Sequence, residues 1–296
     1  MTTSEATLQP DIWSGLDRLP EMRDDEFTRW TDLLRERTGM TMPKERKSFL
    51  VTSVGLRMRE LGYQDYASYY DFLTCGPGGS VEWTALVDRL TVHETRFFRD
   101  PRGLNLVVKK ALPTMAERMR QGGQAQIWSA GCSTGEEAFT LAMLMDRYCR
   151  THDAPTRFGV IGTDISLYSL ATAKQGIYPD RRREQIPVDL QAQYTVPLPA
   201  GGFRMSDALR RRVCFAQFNI LNASATPPGS MDLIYCQNVL IYFDRAMRAR
   251  ILQGLVQPLR KGGLLILGAG EMVGWEHPQM ARTGSMDVLA FQRVTL

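Results

Sequence analysis

In Ile127-Trp-Ser-Ala-Gly-Cys-Ser-Thr-Gly-Glu-Glu-Ala138 a short apolar run passes through a turn bearing Gly131 and Gly135 into an acidic helix start. Glycines let a backbone approach a ligand closely, and this turn falls at the carboxyl end of an expected strand, where open α/β sheets bind ligands. The spacing departs from the phosphate-binding G-x-G-x-x-G. Glu136 and Glu137 also stand where a pyrophosphate needs bare helix N–H groups. A cationic or hydroxyl-rich ligand suits the loop better, and S-adenosylmethionine has a sulfonium, an ammonium and a ribose diol. The bland alternative is an ordinary Gly/Ser/Thr connection.

Two further clusters sit at strand ends. Asp164 closes Val160-Ile-Gly-Thr-Asp-Ile165, the position that accepts ribose hydroxyls in dinucleotide folds, or else it caps a helix starting near Leu167. The segment Cys236-Gln237-Asn238-Val-Leu-Ile-Tyr242-Phe243-Asp244 gathers polar groups and a tyrosine at another strand end. Read alone, Gln237 and Asn238 are helix caps and Tyr242 is core. A third cluster, Thr91-Val-His93-Glu-Thr95-Arg96-Phe97-Phe98-Arg99-Asp-Pro101, sets two aromatics between arginines, which fits a ligand lid or an interdomain clamp.

The elements that position these residues follow from periodicity. Phe27, Trp30 and Leu33/Leu34 recur at helical spacing; Leu50, Val54, Met58 and Leu61 form the stripe of a second helix; Tyr66, Tyr69/Tyr70 and Leu73 begin a third. Residues 25–100 are therefore expected as a helical N-terminal domain, after a flexible tail over 1–24. From 101 to 296 the texture alternates. Strands are expected at Gln126–Ala130, Phe158–Thr163, Val213–Gln217, Leu233–Cys236, Gly263–Leu267 and Val288–Arg293, which implies an α/β, Rossmann-like parallel sheet. Residues 178–212, with prolines and two arginine triplets, are too long for a simple connection and read as an inserted subdomain or a disordered loop.

A length of 296 residues suits one large domain plus a smaller one, and the net charge of +4 does not by itself call for nucleic acid. Five cysteines without C-x-x-C spacing argue against a zinc ribbon or a disulfide framework and for a reducing, cytoplasmic setting without a metal. No segment reads as a secretion signal or a membrane span.

Taken together, these segments resemble the CheR family, S-adenosylmethionine-dependent methyltransferases that esterify glutamates on bacterial chemoreceptors. The resemblance runs from about Phe27 to the end. It rests on Thr95-x-Phe97-Phe98-Arg99, the Ser129–Glu137 loop, Gly162-Thr-Asp164-Ile, and Asn238-Val-Leu-Ile-Tyr242-Phe243-Asp244 followed by Leu259-Arg-Lys-Gly-Gly-Leu264. It implies cofactor contacts at His93, Thr95, Arg99, Ala130, Glu136, Asp164, Asn219, Ile220, Gln237 and Asn238, with Arg99 and Tyr242 nearest the transferred methyl. The family usually has Asn where this chain has His93, Arg where it has Gln237, and an extra basic residue near Ser53 on the second helix. The ending Gly268-Ala-Gly-Glu271 through His277-Pro278 is similar to the branch serving type IV pilus systems.

Such chemistry needs no general base, because a glutamate is already ionised at neutral pH. Positioning and exclusion of water then matter most. Arg46 and Arg57, about 20° apart on a helix that turns about 100° per residue, with Arg59 beside them, are expected to face an acidic receptor coiled coil. Two alternatives compete: a methyltransferase for RNA or a small molecule, with Arg181–Arg183 and Arg210–Arg212 on phosphates, or a cofactor-binding scaffold without catalysis.

Overall fold

The computed structural model describes residues 19–91 and 93–295, so most of the expected tail lies outside the described residues. Helix α1, Asp24–Thr38, opens on three acidic residues that complement its positive end and closes at Gly39, whose φ of 76° suits a residue without Cβ. Helices α2 (Lys47–Glu60), α3 (Tyr66–Cys75) and α4 (Gly79–Leu90) follow. α2 buries Leu50, Val54 and Met58, whereas Leu61, expected to extend that stripe, sits past the last turn at 40% exposure.

The main sheet contains β1 (Ala125–Ala130), β2 (Phe158–Asp164), β3 (Val213–Gln217), β4 (Met231–Cys236), β5 (Leu259–Leu267), β6 (Met280–Thr283) and β7 (Leu289–Arg293). Their order is β3-β2-β1-β4-β5-β7-β6, parallel through β5, with β7 and β6 added antiparallel. The chain steps outward from β1 to β3 and then returns to β4. The carboxyl ends of β1 and β4 thus flank the switch point at which open sheets form a ligand crevice. β6 was not expected from the sequence; four residues of Met-Ala-Arg-Thr carry too little alternation to announce an edge strand.

Strand alternation divides the core. Ile127, Leu233, Leu264 and Ile266 face one side with the helix Glu136–Thr151. Trp128, Ile234, Leu265 and Leu267 face the other, in one cluster with Trp30, Leu50, Met58 and Leu86 of the helical domain. That shared cluster seats the helices against the sheet, each large side chain removed from water contributing about 1.5–3 kcal/mol.

The long insertion is ordered. Strands Ile177–Tyr178, Thr195–Pro197 and Phe203–Met205 form a separate antiparallel sheet, with the helix Val188–Tyr194 between the first two. Although the segment reads as polar, Tyr178, Ile186, Leu190, Tyr194, Phe203 and Met205 are spaced so that all become buried. They join the sheet's core through Phe97, whose ring lies edge-on to Tyr178 at 5.1 Å.

Candidate active site

A cleft opens at the carboxyl ends of β1, β2 and β4 and is roofed by Thr38, Met40 and Arg46 from the helical domain. The glycine turn forms its floor. Gly131 has φ 79°, and a Cβ there would lie 2.2 Å from the Val239 side chain, so glycine is required on both conformational and steric grounds. Ser133, Phe98 and Asn238 line the same cleft with φ values of 49°, 53° and 59°. Left-handed backbone at non-glycine residues is costly, and its concentration here marks a site held in shape by its surroundings.

Asp164 ties this floor together. Its carboxylate accepts from the Ser133 N–H at 2.8 Å and the Ser166 N–H at 3.0 Å. The following helix, Leu167–Gln175, is capped instead by Ser166, whose Oγ accepts from the Ser169 N–H at 3.0 Å. Asp164 therefore remains at the cleft rather than serving as the cap. Burial pushes its carboxyl upward, opposed by the two N–H donors.

The two glutamates after Gly135 separate. Glu136, expected at the cofactor, is buried away from the cleft, where it accepts from Thr134 Oγ1 at 2.6 Å and lies 3.7 Å from Arg182 Nε. Glu137 takes the cleft position and accepts from Ser129 Oγ at 2.6 Å; burial pushes its carboxyl up to about 8. Successive helix residues point about 100° apart, so only one of the pair can face a given cleft. Ala130 is likewise 1% exposed and packed in the core, and the cleft is lined by its neighbour Gly131.

The remaining expected contacts, His93, Thr95, Arg99, Asn219, Ile220, Gln237, Asn238 and Tyr242, all border the cleft. His93 Nε2 lies 2.8 Å from the Asp88 carbonyl, which can only accept, and this places a proton on Nε2 while Nδ1 meets Ser169 Oγ at 2.8 Å. Gln237 Nε2 donates to Asp100 at 2.9 Å, joining the Tyr235 hydroxyl at 3.0 Å on the same oxygen. Asn219 caps the turn Ile220–Ala225 and donates to the Arg37 carbonyl at 3.2 Å. Arg99 donates to the Glu94 carbonyl. The Tyr242 carbonyl accepts from the Thr41 N–H at 2.9 Å; burial pushes its hydroxyl upward, against the pull of Arg46 and Arg99.

The expected basic edge of α2 is corrected. Arg46 belongs to the 3₁₀ turn Lys44–Arg46 ahead of α2, which directs it over the cleft. Arg57 is taken up inside the helical domain. Its Nε and Nη2 each lie 2.7 Å from the buried Glu82 carboxylate, Nη1 lies 3.0 Å from Glu60, and the Tyr69 hydroxyl adds a bond to Glu82 at 2.6 Å. Arg59, expected beside Arg46 and Arg57 on the receptor-facing edge, lies in α2 away from the cleft, and its role toward a receptor stands as an expectation. The arginine triplets are also partly spent: Arg182 on the Thr95 carbonyl, Arg183 on Thr195, Arg210 on the Lys174 carbonyl and Arg212 on Thr156.

The cleft thus combines a carboxyl floor, Glu137 and Asp164, with a cationic mouth, Arg46, Arg96 and Arg99. The floor fits the cation and diol of S-adenosylmethionine, and the mouth fits a carboxylate. Among the described residues no His/Cys/Asp/Glu group is placed to hold a metal ion.

The sequence matches the CheR methyltransferase SAM-binding domain over residues 93–289 and the CheR methyltransferase all-alpha domain over residues 25–91. It is 32% identical to the chemotaxis protein methyltransferase of Escherichia coli (strain K12), covering 92% of each chain. The chemotaxis protein methyltransferase of Borreliella burgdorferi is 28% identical over 84% of this chain and 88% of that one. Chemotaxis protein methyltransferase 2 of Pseudomonas aeruginosa is 32% identical over 83% and 86%.

Proposed function

The chain belongs to the CheR methyltransferase family, and on that premise we propose that it esterifies glutamate side chains in the cytoplasmic coiled-coil region of a chemoreceptor. It is an S-adenosylmethionine-dependent methyltransferase acting on chemotaxis receptors. Residues 25–100 are read as the domain that meets the receptor, and residues from 101 onward, with the insertion 178–212, as the catalytic domain. No helix among the described residues is long and apolar enough to cross a membrane, and a cytoplasmic enzyme without a nucleic-acid partner completes this reading.

The observation that carries the proposal is the division of one cleft into a carboxyl side, Glu137 and Asp164, and a guanidinium side, Arg46, Arg96 and Arg99, around Tyr242. S-adenosylmethionine, when bound, supplies an electrophilic methyl group. Asp164 would hold the cofactor's ribose, and Glu137, once ionised, would balance the cofactor's positive charge. Arg99 orients the incoming carboxylate through paired N–H bonds, and Tyr242 fixes its second oxygen. The carboxylate is itself the nucleophile, so the residues act by alignment and by keeping water away. The partly braced arginine triplets offer little support for an RNA substrate.

Transfer of labelled methyl to cytoplasmic receptor fragments, followed by alkaline release of methanol, tests the assignment. Base-labile label on receptor glutamates is the expected result. Stable label would point to another acceptor, and tight cofactor binding without any transfer would favour a scaffold.

A further inference from the structure

Glu271 lies in the loop after β5 and is 1% exposed, yet its carboxylate is turned toward the cleft wall rather than toward a cation. One oxygen accepts from the Gly268 N–H at 2.7 Å. The other accepts from the Leu240 N–H at 2.9 Å; burial pushes the Glu271 carboxyl upward, opposed by these backbone N–H donors. The Leu240 N–H opens the 3₁₀ turn Leu240–Tyr242, where the first backbone N–H groups have no partners within the turn. A Cβ on Gly268 would fall 2.6 Å from Glu271 Oε2, so the loop is shaped around this side chain.

The same segment is held elsewhere. Arg248 donates to the Glu271 carbonyl at 2.7 Å and, through Nε, to the Phe243 carbonyl at 2.7 Å. Thr41 holds the Tyr242 carbonyl from the opposite side. Asn238, at the start, has a left-handed φ of 59°, a conformation that asparagine adopts more readily than most residues. Every one of these contacts bears on the wall that presents Tyr242 to the cleft.

We propose that Glu271 is a positioning residue for methyl transfer, acting through the Leu240 N–H to aim Tyr242 at the acceptor carboxylate. This inference rests on the assignment of Tyr242 to the acceptor made above. Glutamine at this position turns an amide NH₂ toward one of the backbone donors that the carboxylate satisfies, which tilts the turn without emptying the core.

The test is a double-mutant cycle on the full chain with receptor fragment and saturating S-adenosylmethionine. E271Q should lower kcat at least tenfold while changing the receptor KM less than threefold, and in a Y242F background it should lower kcat less than twofold further. An equal loss in both backgrounds would make Glu271 a merely structural residue and overturn the inference. If Y242F alone keeps full turnover, the assignment of Tyr242 fails and the inference falls with it. If E271Q does not fold, Glu271→Asp, which keeps the charge but shortens the reach, runs the same cycle with the same expectations.

Discussion

The helical domain and the sheet domain each carry a pair of like charges that the fold divides between itself and the cleft. In the helical domain Arg57 is bound to Glu82 and Glu60, while Arg46 overhangs the cleft, exposed to solvent. In the sheet domain Glu136 is bound to Thr134 and lies beside Arg182, while Glu137 faces the cleft from an enclosed position. The difference lies in the surrounding medium. An exposed cation is screened by water and salt, so it influences encounter and orientation. An enclosed carboxyl is held neutral by its surroundings until a charge enters beside it, so it influences cofactor binding and protonation.

The largest effect is expected from the residue that joins the two halves. Arg99 sits between the cationic mouth and the carboxyl floor, half-buried, with its guanidinium oriented by the Glu94 carbonyl. Arg99→Ala should reduce methyl transfer by about 10²- to 10³-fold, the usual cost of losing an oriented donor at the reacting group. Turnover with labelled cofactor measures it. A loss confined to receptor KM would place Arg99 with the exposed charges instead.

Substituting the two arginines of the helical domain should separate stability from function. Arg57→Ala leaves Glu82, at 6% exposure, without its charged partner, and chemical unfolding should show a loss of about 2–4 kcal/mol. The folded fraction should keep its kcat. Arg46→Ala should leave stability within about 0.5 kcal/mol but lower kcat/KM for an acidic receptor several-fold at low salt, an effect that fades as salt rises. Should Arg57→Ala lower receptor affinity in a stable protein, α2 would present its charge to the partner after all.

These divisions also mark the reach of sequence reading. The glycine turn, Asp164 and the Asn238–Tyr242 segment are legible because the carboxyl ends of parallel strands are recognisable from apolar runs that stop at polar residues. The choice between Glu136 and Glu137 is not, since a helix start displaced by one residue exchanges their directions. Arg57 has a similar limit: Glu82 stands 25 residues away, with no local pattern linking them. The Arg46–Arg57 alignment assumed one continuous helix, whereas a 3₁₀ turn precedes α2 and changes the angle. In the insertion, strands of two or three residues are too short for alternation to register.

On the sheet side, Asp164→Ala should weaken S-adenosylmethionine binding by about 1.5–3 kcal/mol, the range for hydrogen bonds to a charged group. Calorimetry reads this directly. Because Asp164 also accepts from Ser133 and Ser166, Asp164→Asn retains one of these backbone acceptors and should fall between wild type and alanine. Unchanged affinity in both variants would reduce Asp164 to a loop fastener.

The smallest signal is a proton. Burial raises the Glu137 carboxyl to about 8 in the ligand-free protein, above its unfolded value. The folded state therefore holds this proton more tightly, and the associated stability is complete at acid pH and is lost as pH rises through about 8. A cofactor cation beside Glu137 favours the carboxylate and drives the proton off. Near pH 7, cofactor binding should thus release up to about one proton, seen as a binding enthalpy that changes with the ionisation enthalpy of the buffer. Glu137→Gln, which cannot ionise, should remove that contribution and flatten the pH dependence of stability. The same buffer dependence in wild type and E137Q would mean that Glu137 loses no proton when the cofactor binds, and the enclosed carboxyl would not differ from the exposed cation through its protonation.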